Sequence, residues 1–364
     1  MSKKKDQIVV WCTGISGSER SDYVREAVGE CRKDGRPCRA VDIGELLKEV
    51  PPHLQVQPDP TALLDGNEAV LKLQRAYALK LAEERIEQAE EGELTIVSTH
   101  ACFMRRGRLQ SGLDMAMIKS TFAPLVDMYA TVVDNCHDVW QRLQNRAQWR
   151  GYLSFFEVAI WRATEMAMTK MLADYESKPY YVLCRGDPAQ ALPLLASEPR
   201  APSIYLSYPI TAIKESEPEL LKEAEKLADN LRDRGFVVFN PLSIKDVQIS
   251  QGSAEQESQI SDEDALAARK YLDSQTVSRD LQLIDQADMV VVYYPTQKMS
   301  AGVFAEMAHA RDTRKPLFLC SFPGIAGNSS PFLGIFYTLA FADPPEMLSS
   351  LSERFLGKTV NPEG

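Results

Sequence analysis

Residues 8–23 read IVVWCTGISGSERSDY: an apolar, β-rich run, a turn with two glycines, then a helix-like segment. A strand that runs through a glycine-bearing turn into a helix is the opening unit of a parallel α/β sheet. It is also the setting of a phosphate-cradling loop, in which backbone N–H groups at a helix N-terminus face the ligand. The template G-x-x-x-x-G-K-[ST] is met at Gly14 and Ser21, with Gly17 inside the loop. Glu19 and Arg20 stand where the template asks for Gly and Lys. Glu19 adds a side chain and a negative charge beside the ligand. Arg20 keeps the positive charge in a bulkier, planar form.

The same alternation continues outward. Strand patterns recur at 38–43, 94–98, 129–133 and 180–183, with helices predicted over 21–34, ended by Gly35, and over 67–91. RGDPAQALPLLASEPRAPS, residues 185–203, carries four prolines and no strong period, which marks a domain boundary with room for a short helix. Strand and helix signals then restart. Strands are predicted at 203–206, 236–239, 289–294 (MVVVYY) and 316–320, and helices at 217–234, stopped by Gly235, at 270–287 and at 301–313. The polar stretch 248–264 reads as a mobile loop. The expected fold class is α/β: two three-layer domains with largely parallel sheets, over 1–185 and 203–364, joined by a linker at 186–202.

Bulk properties narrow the function. A length of 364 residues suits two domains. A net charge of −10 argues against a nucleic-acid surface, which needs a basic stripe, but leaves small phosphorylated ligands open. The seven cysteines, at 12, 31, 38, 102, 136, 184 and 320, are odd in number and form no C-x-x-C pair. That pattern predicts reduced thiols of a cytoplasmic protein rather than disulfides or a zinc site. MSKKKDQ leads straight into a strand pattern, so no signal peptide is expected, and no apolar run is long enough to cross a bilayer.

Over residues 7–185 the layout resembles the archaeal-type adenylate kinase group of P-loop kinases. The resemblance rests on IVVWCTGISGSERS, LKLQRAYALKLAEERI, IVSTHACFMRRGRLQSGL and VWQRLQNRAQWR. It implies ATP and Mg2+ at this domain and nucleotide contacts from Gly14, Gly17, Arg20, Ser21 and the lid arginines Arg142, Arg146 and Arg150. Where that family has Asp-x-His at a strand end, this chain has Ser98 and His100, so a carboxylate expected near magnesium is missing. The bland alternative places the three arginines along one solvated helix face and makes His100 a hydrogen-bonded strand-end residue. The expectation is a degenerate kinase domain that retains nucleotide binding or serves assembly.

Residues 203–320 resemble the nucleoside 2-deoxyribosyltransferase family and its relatives that hydrolyse deoxynucleoside 5′-monophosphates. The matching pieces are SIYLSYPI, SRDLQLIDQADMVVVYY and SAGVFAEMAHARDTRKPLFL, in order. The resemblance implies a flavodoxin-like fold and a catalytic carboxylate at Glu306, with Asp280 and Tyr205 assisting. Breaking an N-glycosidic bond leaves oxocarbenium character on the sugar, so a carboxylate beneath it can attack or stabilise the cation. Ser207 and Pro209 are implied substrate contacts, and Asn328 and Ser329 would complete a pocket in a homodimer or larger assembly. Ser300, six residues before Glu306, is where the monophosphate hydrolases carry a phosphate-contacting Ser and the transferases an Asp. With Gly302 and the helix N-terminus it would cradle a 5′-phosphate. Phe304 and Ala305 depart from the family pattern, and Asp288 reads as a turn residue. No cofactor is implied at this second site. Three functions stay open: an N-glycosidase or deoxyribosyltransferase acting on a nucleotide, a bifunctional salvage enzyme with an active kinase half, or a non-catalytic nucleotide sensor.

Overall fold

The computed structural model describes residues 6–51, 68–105, 107–214, 217–244, 246, 262–321 and 333–357. The chain divides into two compact units. One comprises residues 1–196 and 244–276, the other 197–243 and 277–364.

In the first unit the strands are β1 (Ile8–Thr13), β2 (Cys38–Asp42), β3 (Leu94–Ser98), β4 (Cys102–Arg105), β5 (Arg108–Ser111), β6 (Met128–Val133) and β7 (Tyr180–Cys184). Five of them form an all-parallel sheet in the order β2-β3-β1-β6-β7. The apolar run of β1 is buried because its sheet is covered on both faces. The α-helices of four or more residues are α1 (Arg20–Lys33), α2 (Ile43–Leu46), α3 (Glu68–Glu87), α4 (Cys136–Gln144), α5 (Phe155–Glu176) and α6 (Ala191–Leu195). Trp11, Leu79, Val97, Phe122 and Tyr129 belong to one core cluster, and Ile15, Val139, Leu143 and Trp161 to another. The antiparallel β4–β5 hairpin was absent from the sequence reading. Each of its strands spans only four residues, too short for a period to stand out in the sequence.

Residues 244–276 lie with this unit, although in sequence they fall beyond the Pro-rich boundary. The reason is a set of long-range bonds, those of Asp246 buried and those of Asp264 partly so. Asp246 pairs with Arg162 at 2.6 Å and accepts from the Cys136 N–H. Asp264 accepts from the N–H groups of Phe155 and Phe156, the first donors of α5. Ala268 and Leu272 are buried with Cys136, Phe155 and Ala159.

The second unit holds β8 (Ser203–Ser207), β9 (Val237–Phe239), β10 (Met289–Tyr294), β11 (Leu317–Ser321) and β12 (Leu339–Phe341), all parallel and ordered β12-β11-β10-β8-β9. Counted within the unit this is the flavodoxin-like order 2-1-3-4-5, whose switch point falls between β8 and β10. Its helices are α7 (Ile210–Lys214), α8 (Pro218–Arg234), α9 (Asp262–Gln286), α10 (Ala301–Asp312) and α11 (Pro344–Leu356), the first part of α9 being counted with the first unit. α8 buries Ala224, Leu227, Ala228 and Leu231 at helical spacing and stops at Gly235, whose φ of 107° suits glycine. α9 starts two turns earlier than its apolar pattern predicts. Asp288 staples β8 to β10: it accepts from Ser203 N and Oγ and from Arg200, partners that hold its carboxyl below its ordinary value against the opposing effect of burial. It is a structural turn residue, as its place before a strand suggests.

Among the described residues no helix is long and apolar enough to cross a membrane, and no three His, Cys, Asp or Glu side chains gather as a metal site. The seven cysteines are free and buried.

Candidate functional site

The carboxyl ends of β8 and β10 bring together three residues distant in sequence. Tyr205 and Ser207, two apart on β8, project from the same face. Glu306 comes from the second turn of α10, the helix that follows β10. Tyr205 Oη donates to Glu306 Oε1 at 2.9 Å, and Ser207 Oγ donates to Oε2 at 2.5 Å. Each carboxylate oxygen therefore accepts one hydroxyl and keeps a lone pair for another partner.

Burial is the main influence on Glu306 and raises its pKa to about 7. The Ser207 hydrogen bond opposes it, nearby Asp280 adds to it, and Tyr205 and Arg279 oppose it further. Tyr205 is fully buried, and burial together with the Glu306 and Asp280 charges keeps its phenol protonated as a donor. Asp280, on α9, accepts from Arg279 Nε and Nη2 at 3.0 and 2.9 Å. The Arg279 side chain is buried beside it. Sequence reasoning named Glu306, Tyr205 and Asp280 but gave Ser207 to the substrate and passed over Arg279. The two-residue period of a strand already puts Ser207 on the face of Tyr205.

Ser300 is the N-cap of α10, its Oγ accepting from Val303 N at 3.5 Å and its own N–H donating to Tyr294 Oη. Ala301 and Gly302 are exposed at that helix start. Pro209 is buried after β8 and its carbonyl accepts from Ile213 N. Asn328 and Ser329 lie outside the described residues, as does most of 248–264.

In the first unit, Glu19 adopts φ 55°, the left-handed backbone that the template's second glycine would take without strain. Arg20 is buried and turned inward. Its Nε donates to Ser98 Oγ, and its Nη1 to the carbonyls of Gly14 and Thr99 and to His100 Nδ1. Ser21 Oγ donates to Asp42, which also accepts from Ser98. Gly14 N donates to Glu165, a buried carboxylate that also takes the N–H groups of Ala101 and Cys102. Glu165 escaped the sequence reading because it sits amid a long helix. The side chains that would meet ATP and Mg2+ are thus bonded to one another. Arg142 pairs with Asp134 and Glu19 and donates to the Gly17 carbonyl. α4 ends at Gln144, so Arg146 and Arg150 lie beyond it in exposed turns, and the three arginines do not share one helix face.

A family model described as nucleoside 2-deoxyribosyltransferase matches residues 205–324, about a third of the chain, and the match includes Tyr205, Ser207, Asp280, Ser300 and Glu306. The chain is similar to the 2-deoxyribosyltransferase of the psychrotolerant bacterium Bacillus psychrosaccharolyticus, at 22% identity over 40% of this chain and 90% of that one, with a TM-score of 0.28. It is similar to the CMP N-glycosidase BcmB of Clostridium botulinum at 18% identity, over 41% of this chain and 96% of that one, with a TM-score of 0.25. Phosphoglycerate kinase from Coxiella burnetii aligns over 97% of this chain and 98% of its own at 10% identity, with a TM-score of 0.21. No curated protein matches. The adenylate-kinase resemblance of residues 7–185 gains no support from these comparisons.

Proposed function

We propose that the second unit cleaves or exchanges the N-glycosidic bond of a nucleoside 5′-monophosphate, with Glu306 beneath the anomeric carbon. The observation that carries this reading is the Glu306 carboxylate, held on both oxygens by Tyr205 and Ser207 at the sheet's switch point, within the region the family model matches. Open α/β sheets bind ligands in that crevice. As the C1′–N bond breaks, its electron pair leaves with the base. A lone pair of Glu306 then bonds to C1′ or stabilises the cation until water or a second base attacks. Two hydroxyl donors fix the carboxylate so that little reorganisation accompanies the charge change. Asp280, bound to Arg279, orients sugar or base from the neighbouring helix.

Ser300 favours a nucleotide over a nucleoside. Its oxygen caps α10, which leaves its O–H to donate to a phosphate at a helix start whose N–H groups are exposed. The first unit serves binding or assembly in this reading, because the groups of its glycine loop are bonded to one another.

The test is base release from a panel of ribo- and deoxyribonucleoside 5′-monophosphates and the parent nucleosides, each with and without a second free base as acceptor, followed by chromatography. Free base should appear from monophosphates in preference to nucleosides, and Glu306→Ala should abolish it while circular dichroism stays native. Absence of base release from every substrate would end the proposal.

A further inference from the structure

Two tyrosines close β10, and successive strand residues leave the sheet on opposite faces. Tyr293 belongs to the core cluster that holds Ala224 and Leu227 of α8, and its Oη donates to Glu223 of that helix at 2.7 Å. Tyr294 takes the other face. Val292, two residues before it, is the register partner of Ser207, so Tyr294 stands on the side that carries Tyr205 and Ser207. Its ring lies 6.4 Å from that of Phe304 on α10.

The Tyr294 hydroxyl serves the turn that follows. It accepts from the Ser300 N–H at 3.0 Å and donates to the Lys298 carbonyl at 2.7 Å. Burial raises the phenol's pKa, against the opposing effect of the Ser300 N–H, so at neutral pH it is protonated and holds both bonds. Thr296 Oγ1 adds a second clasp by accepting from Lys298 N at 3.3 Å. Little else fixes the second half of this turn. Gln297, Lys298 and Met299 are exposed, Met299 by 83%, so no apolar side chain anchors it. The ion pair of Lys298 with Glu217, at 3.8 Å and half-exposed, adds little.

Ser300 is the residue that the clasp carries. Its N–H is taken by Tyr294 and its Oγ accepts from Val303 N, while among the described residues its hydroxyl hydrogen has no acceptor. We infer that Tyr294 is a positioning residue for a 5′-phosphate: its hydroxyl pins the turn so that the Ser300 O–H is aimed at the ligand. The inference rests on the proposed function, in which Ser300 meets the phosphate. It adds the residue by which this chain selects a nucleotide over a nucleoside. A phenol that only stabilised the turn would treat the two ligands alike.

Binding is measured by calorimetry on full-length Glu306→Gln protein, which suppresses turnover. The probes are deoxycytidine and deoxyadenosine 5′-monophosphates and their parent nucleosides. Each monophosphate should bind tighter than its nucleoside. Tyr294→Phe keeps the ring beside Phe304 and should cut that preference ~5-fold, the worth of about one ordinary hydrogen bond. Ser300→Ala should cut it at least as far. Adding Tyr294→Phe to Ser300→Ala should cut it little further, because the phenol acts through Ser300. In turnover by otherwise wild-type protein, the Tyr294→Phe loss should fall on KM for the monophosphate rather than on kcat. Circular dichroism should stay native throughout. An unchanged preference, an equal weakening of nucleotide and nucleoside, or a full second loss on top of Ser300→Ala overturns the inference. So does a glutamine variant that binds nucleotide no tighter than nucleoside. A phosphate preference that follows Tyr294 in a protein releasing no base would overturn only the proposed chemistry. If Tyr294→Phe does not fold, Thr296→Val, which removes the other clasp, takes its place with a loss of the same kind, ~2-fold.

Discussion

The two units meet the same problem, buried charge at the carboxyl ends of parallel strands, and answer it differently. In the first, Arg20 gives its guanidinium to two carbonyls, a serine and a histidine, while Glu165 collects three backbone N–H groups. Each charge there is occupied by the fold. In the second, Glu306 receives two hydroxyls, its pKa rises to about 7, and an oxygen lone pair on each side stays open to a third partner. Burial raises the pKa of both carboxyls; a carboxylate saturated by backbone donors is structural, whereas one with open lone pairs held in fixed geometry is ready for chemistry. The lesson is to count the bonds on a charge before assigning it a reaction.

The largest effect that could break this comparison lies in the first unit. Glu165→Ala strands three buried N–H donors, so the folded state should lose about 3–5 kcal/mol in denaturant titration. A loss below ~1 kcal/mol would mean that water replaces the carboxylate and that Glu165 is no structural keystone.

Glu306 should behave in the opposite sense. Its pKa of about 7 in the folded state exceeds the ordinary 4.5, so the folded protein holds the extra proton between those values. Stability then falls as pH rises from 4.5 to about 7 and is flat above. Glu306→Gln removes that fall and should leave the variant more stable by roughly 3 kcal/mol above neutrality, while the difference vanishes near pH 4.5. A variant less stable than wild type at pH 8 would show that the carboxylate is a structural group like Glu165.

Smaller changes sharpen the picture. Ser207→Ala removes a bond that favours the ionised carboxylate, so the acidic limb of base release should shift to higher pH, with a rate loss of ~10-fold at neutrality. An unmoved limb would detach Ser207 from Glu306. Glu19→Gly should change stability by under ~1 kcal/mol. Relief of the left-handed backbone, worth ~1 kcal/mol, offsets two partly exposed ion pairs, to Arg142 and Arg185. A much larger loss would show that those pairs hold the loop.

Much of this was legible in the sequence, for identifiable reasons. Apolar runs such as MVVVYY and IVVWCT announce strands buried on both faces, and Gly35 and Gly235 end helices where positive φ is needed. Glu306 and Tyr205 were legible from ordered motifs. What escaped depends on contacts made across long stretches of chain. The bond from Ser207 to Glu306 joins residues 99 apart, and Glu165 reaches Gly14 across 151. The return of residues 244–276 to the first unit rests on single carboxylates, Asp246 and Asp264, that cap helices formed more than 100 residues earlier. No local period reports such pairings. Arg146 and Arg150 misled for the converse reason: the i, i+4, i+8 spacing is helical, but the helix stops at Gln144.

The most direct measurement is the pH profile of base release by wild-type protein and by Glu306→Gln on the best nucleoside monophosphate. The wild-type rate should climb through about pH 7 as the carboxylate ionises, and the glutamine variant should lie at least ~10³-fold lower with no such limb. A glutamine variant within ten-fold of wild type, keeping the same limb, would contradict the assignment of the chemistry to Glu306.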